Sequence, residues 1–165
     1  MEDLAATPPT RMDADPAAKE RWFAAQWSLL LQSWVLGDFL QAPQFQNHIS
    51  DLMVANFENS TAENSNMLVA ANSRAIKQIW DRTRKDSGPR RITLDALFAK
   101  LQPHTMRTMF EKNAVPQEFM IDLCEEGLGF QQNGGYSQAP SMDNSCRYHV
   151  HTDLVPKGGY CNRNW

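Results

Sequence analysis

Cysteine is scarce. Three occur among 165 residues, an odd number that leaves no complete disulfide framework within one chain. A reducing compartment, cytoplasmic or nuclear rather than secreted, is the simplest expectation. Long apolar runs are missing too, since none approaches the roughly 18 residues of a membrane span. The first residues lack the basic-then-apolar order of a signal peptide. There is no surplus of positive charge: 16 Lys+Arg against 19 Asp+Glu give a net −3, which argues against a general nucleic-acid binder. Neither common Gly-rich phosphate loop is present. Sustained alternation with β-branched residues is absent, and only 148–155 reads as a short strand. Catalytic sets fail as well. His48 and His104 have no flanking nucleophile, and Cys124 is expected on the apolar side of a helix as a core thiol. No catalytic residue is assigned. A hydrophobic share of 42% still rules out wholesale disorder.

What is present is helical periodicity, and the expected class is all-α: an irregular bundle of about six helices over 16–130. Residues 1–15 are small, acidic and Pro-containing and read as a disordered leader. Asp15-Pro16 is a helix start, with Asp as N-cap and Pro at the first helical position. Trp22, Phe23, Trp27, Leu30, Leu31, Trp34, Val35 and Leu36 follow at mixed spacings and Phe39 and Leu40 close the run, a stripe wider than a surface helix needs. Such a helix packs on two sides or against another surface. Pro43 opens a second helix with Phe45, Ile49, Leu52, Met53 and Phe57 inward, joined to the first as a corner or hairpin. Asn72 or Ser73 caps a helix bearing Ile76, Ile79 and Trp80. Lys85-Asp86-Ser87-Gly88-Pro89 stops it and restarts the chain. Ile92, Leu94, Leu97, Phe98 and Leu101 mark the next helix, and Met106, Met109 and Phe110 a short one. Pro116 opens the last, with Phe119, Met120, Leu123, Cys124 and Leu128, and Gly127 and Gly129 are expected to fray its end. Residues 131–165 change composition and read as a flexible arm with a Cys/His tail.

Two constellations stand out. The tail places Cys146, His149, His151 and Cys161 in a C-x2-H-x-H-x9-C pattern. Two thiolates and two imidazoles suit tetrahedral zinc, so one reading is a structural zinc clip pinning the arm. The other is that Tyr148 anchors the arm by packing while the His and Cys side chains pair by hydrogen bonds; a Cys146–Cys161 disulfide is a third. In a strand, His149 and His151 would point the same way. The second constellation is a basic run, Arg74, Lys77, Arg82, Arg84, Lys85, Arg90 and Arg91. No aromatics alternate with these charges, so it reads as a solvated helix–turn–helix face rather than a nucleic-acid groove. Arg90 or Arg91, at a helix start, is expected to pair with Asp81 or Asp95. Asp122, Glu125 and Glu126 read as an ordinary acidic helix face. A small zinc-stabilised nucleic-acid-binding or regulatory module is the alternative these two features support.

The run Trp34-Val35-Leu36-Gly37-Asp38-Phe39-Leu40-Gln41-Ala42-Pro43-Gln44-Phe45-Gln46-Asn47 resembles a recurring segment of fungal BTB/POZ-domain proteins. Three later blocks resemble the same proteins in the same order: Ile76 to Trp80 with Gly88 to Arg91, Val115 to Leu123, and the Cys146-x-Tyr148-His149-x-His151 ending with Cys161. The resemblance implies the C-terminal part of the BTB fold followed by a BACK-like helical region, with no enzymatic activity. It implies a protein partner or self-association, as an adaptor or scaffold. It also brings in docking to a cullin ubiquitin ligase, but the strand-rich BTB half that shapes that surface has no counterpart ahead of Trp34. In the family the first helix would pack on that half. Trp22, Phe23, Trp27, Leu30 and Trp34 are therefore expected to form an exposed interaction surface.

Overall fold

The structure is a computed structural model and describes residues 16–58, 73–100, 115–132 and 146–151. Among these residues the chain is all-helical, with five α-helices and no strand. They are α1 (Pro16–Phe39), α2 (Pro43–Glu58), α3 (Ser73–Arg82), α4 (Gly88–Lys100) and α5 (Gln117–Gln132). The leader 1–15, the short helix expected around Met106 and Phe110, and Cys161 lie outside the described residues.

Each start coincides with a local signal. Pro16 and Pro43 occupy first helical positions, where the missing N–H is no loss, and Pro89 is the second residue of α4. The α1–α2 corner is made by hydrogen bonding. Ala42 N–H donates to Gly37 O at 2.9 Å and Gln41 N–H to Asp38 O at 3.1 Å, the paired bonds of a Schellman cap. That cap needs a left-handed residue, and Gln41 supplies it at φ 51°. Gly37 lets the helices meet there. A Cβ at this position would lie 2.8 Å from Gln46 Cγ and 2.9 Å from Phe45 Cδ1.

α1 packs on α2 and α3; α4 touches α2, α3 and α5; and α3 also meets α5. The core between them holds Trp27, Leu31 and Trp34 from α1, Met53 and Val54 from α2, Ile79 and Trp80 from α3, Ile92 and Leu97 from α4, and Phe119 and Leu123 from α5. Tyr148 enters the same core from the arm. Trp80 and Phe119 meet edge to face, centroids 4.9 Å apart and planes at 83°, a favoured aromatic geometry. No described helix is long and apolar enough to cross a membrane.

Two helical expectations are corrected. α5 does not fray at its glycines but runs through both to Gln132. At Gly127 the ring of Phe98 comes within 3.4 Å of where a Cβ would stand, and packing of this kind offsets the roughly 1 kcal/mol that glycine costs a helix interior. Cys124 is exposed rather than a core thiol. The buried face of α5 is set by Phe119, Asp122 and Leu123, and Cys124 lies one step beyond it around the helix.

Candidate functional site

The wide apolar stripe of α1 divides into two faces. Trp27, Leu30 and Trp34 are buried in the core, and Trp22 is half-buried. These residues do not form the exposed contact surface expected of them, because α2 and α3 cover that side of the helix. The side chain of Phe23 lies outside the described residues. What α1 and the turn after it leave exposed is a different row: Leu29, Leu36, Phe39 and Leu40, with Phe39 82% exposed. Phe45, just across the corner on α2, was expected inward and is instead exposed. Leu29 and Leu36 are seven apart and Phe39 three further, so these side chains share one face of the helix. No separate sequence signal distinguishes this row from the buried one, since apolar residues surround α1.

The basic run is mostly neutralised. Lys77 pairs with Asp81 at 2.8 Å, Arg84 with Asp38 at 2.9 Å, Lys85 with Glu125 at 2.8 Å, and Arg91 lies 3.8 Å from Asp86. Arg90 is not part of a solvated face at all. It is buried, and neither Asp81 nor Asp95 is its partner. Its Nη2 donates to the carbonyl oxygens of Trp80 (2.9 Å) and Thr83 (2.6 Å), which closes the C-terminal end of α3. Its Nη1 donates to Asp122 Oδ2 at 3.2 Å and meets Glu118 at 2.9 Å, while the guanidinium sits 5.3 Å over the Trp80 ring. Trp80 Nε1 donates to the same Asp122 oxygen at 2.8 Å. Asp122 is therefore the buried acceptor of this node rather than a member of an ordinary acidic face. The hydrogen bond from Arg90 holds the Glu118 carboxyl below its usual value. The hydrogen bond and charge of Glu125 raise the Lys85 ammonium.

Beside this node, Lys85, Arg91, Leu94, Asp122, Glu126 and Arg147 contribute to the lining of a cleft of about 280 Å³. Its cations and carboxylates face one another, so little net field remains for a charged ligand.

The arm enters at the far wall of the cleft. Residues 146–148 make a single 3₁₀ turn, and no strand forms at 148–151. Tyr148 is buried and its hydroxyl donates to Asp95 Oδ2 at 2.9 Å. Arg147 grips the same carboxylate with Nε at 2.9 Å and Nη2 at 3.2 Å, and reaches Glu126. Burial raises the Asp95 carboxyl, and the Arg147 charge and the Tyr148 hydroxyl pull it back part of the way. Burial lowers Arg147, but the charge and hydrogen bonds of Asp95 outweigh it and the guanidinium ends above its ordinary value.

Among the described residues, the expected tail ligands Cys146, His149 and His151 are not gathered at one point; Cys161 lies outside them. His149 Nε2 donates to Asp51 Oδ1 at 2.8 Å. His151 Nε2 stands 3.0 Å from the Cys146 carbonyl oxygen and 3.6 Å from Cys146 Sγ. A non-strand backbone removes the alternation that would have aimed both rings one way. Among the described residues no three His, Cys, Asp or Glu side chains gather as metal ligands do.

Comparison of the chain with protein-family models, curated proteins and solved structures finds no match.

Proposed function

We propose that this helical unit is a non-enzymatic protein-interaction module, a self-associating scaffold that meets a second copy through the outer face of α1. The observation that carries it is the exposed row Leu29, Leu36, Phe39 and Leu40 with Phe45 beside it. Large apolar side chains clustered in water mark an interaction face, and covering the exposed part of each gains a share of the roughly 1.5–3 kcal/mol that full burial is worth. The three- and seven-residue spacing presents them as a seam suited to another helix. A second copy brings the same seam, and two-fold pairing matches like with like. The likeness to the C-terminal part of fungal BTB/POZ proteins supports an adaptor or scaffold role in the cytoplasm or nucleus.

The nucleic-acid alternative is weaker. Five cations of the basic run face carboxylates, and a phosphate backbone would have to displace them.

Sedimentation velocity tests the reading. The chain is expected to associate as its concentration rises through tens of micromolar. Leu36→Asp/Phe39→Asp is expected to stay monomeric with an unchanged melting temperature, because both side chains are solvent-facing. A wild-type chain that remains monomeric throughout that range overturns it.

A further inference from the structure

The arm is bound the way a peptide ligand is bound. Asn47 takes both backbone groups of Val150: Val150 N–H donates to Asn47 Oδ1 at 2.6 Å, and Asn47 Nδ2 donates to Val150 O at 3.2 Å. Arg91 Nη1 donates to the carbonyl oxygen of Arg147 at 2.9 Å. Gly88 lets the body approach the chain. A Cβ there would sit 2.4 Å from the Tyr148 carbonyl oxygen. Side chains are read in turn. Tyr148 fills a closed slot ending on Asp95, Arg147 spans Asp95 and Glu126, and His149 meets Asp51. Main-chain hydrogen bonds combined with side-chain pockets are the general logic of peptide recognition.

We infer that this groove between α2 and α4 is a peptide-recognition site for an Arg-Tyr-His-Val segment, and that it exchanges its own arm for the arm of a second copy. Three features of the chain support exchange. Among the described arm residues two side chains are buried, Tyr148 and His149, while Arg147 remains 44% exposed; of the two only Tyr148 stands in the apolar core, so release leaves the rest of that core in contact. The arm joins α5 through positions 133–145, thirteen residues, which span about 45 Å when extended, more than the roughly 30 Å diameter of a small domain. A second copy carries the identical segment, with Arg147 complementary to Asp95 and Glu126. This site is separate from the outer face of α1, and its success or failure is read independently of that face.

The probe is a fluorescently labelled peptide covering residues 143–152, titrated by anisotropy against the full chain. The tethered arm competes in the wild type at an effective concentration near millimolar. Tyr148→Ala vacates the slot and is expected to bind the peptide at least tenfold more tightly than wild type, while a peptide carrying the same substitution does not bind. Arg147→Ala, whose side chain lies outside the core, is the milder release and is expected to move in the same direction. If neither variant binds more tightly than wild type, the groove is not a recognition site. Exchange itself is tested by mixing two chains that both carry Leu36→Asp/Phe39→Asp. One has Tyr148→Ala, an open groove; the other has Gly88→Ala, a blocked groove with an intact arm. A one-to-one heterodimer by light scattering, with each chain alone monomeric, is the expected result. Peptide binding without that heterodimer overturns the second copy as occupant.

Discussion

Replacing Arg90 with methionine preserves the stem of the side chain and removes its charge and every donor. The structure sets the size of the loss. Asp122, 7% exposed in its side chain, would be left with Trp80 Nε1 as its close donor and Lys85 Nζ 4.0 Å from its other oxygen. The carbonyl oxygens of Trp80 and Thr83 would lose the guanidinium that now donates to both. Removing one member of a buried ion pair costs about 3–5 kcal/mol, mainly through the stranded charge. Lys85 is exposed and can swing nearer, so the lower end, about 3 kcal/mol, is expected. For a chain of this size that lowers the melting temperature by roughly 10 °C.

The second substitution separates charge from hydrogen bonding. In Arg90→Met/Asp122→Asn the stranded carboxylate is gone, yet the amide oxygen still accepts from Trp80. The unpaired carbonyl oxygens remain and cost about 1–3 kcal/mol. The double variant should thus recover up to about 2 kcal/mol of the single variant's loss. Arg90→Lys should not restore the wild type, because an ammonium lacks the planar fork that reaches two carbonyls and a carboxylate together. Urea unfolding followed by circular dichroism measures all three. A single variant that loses less than about 1 kcal/mol, or a double variant less stable than the single, refutes the argument.

Two further outcomes follow from the local geometry and the shifted carboxyls. Gln41→Gly should stabilise the chain by about 0.5–1 kcal/mol, since φ 51° at the α1 cap strains a residue with a Cβ; Asp86→Gly, at φ 62°, should gain less because aspartate tolerates that region, and thermal melts of the two variants decide. In pH titrations of the urea midpoint, Glu118 and Asp95 should act with opposite sign. The lowered Glu118 carboxyl gives stability present above its ordinary 4.5 and lost as pH falls through its folded value, so Glu118→Gln should flatten the acid side. The raised Asp95 carboxyl makes folding weaken as pH rises from 3.8 through its folded value, a decline that Asp95→Asn should abolish.

The helix starts were legible because each is fixed by residues adjacent in the chain. Pro16, Pro43, Ser73 and the Gly88-Pro89 step act within one turn of where they stand, and the structure begins its helices there. The α5 end was less so, because whether Gly127 frays depends on Phe98, a residue of a different helix. The same distinction explains the α1 stripe. Its apolar residues surround the helix, so their order shows that much of it must be covered but not which side. That choice is made by α2 and α3, which take Trp27 and Trp34 and leave Leu36 and Phe39 outside.

The polar contacts were the least legible, for a physical reason. Arg90 and Asp122 are 32 positions apart, and Asn47 and Val150 are 103. Periodicity places a side chain on a face; it does not say which buried cation a carboxylate will meet. A charge that looks solvated in sequence is affordable inside only when every donor is matched, and Arg90 meets that condition with carbonyls from α3 and carboxylates from α5. Tyr148 was recognisable as an anchor because an aromatic residue in a polar tail has few other uses, whereas nothing in the sequence marks Asn47 or Gly88 as holding the backbone around it. Their role exists only once the arm lies in the groove. Substituting either one is therefore expected to loosen the arm before it disturbs the helices.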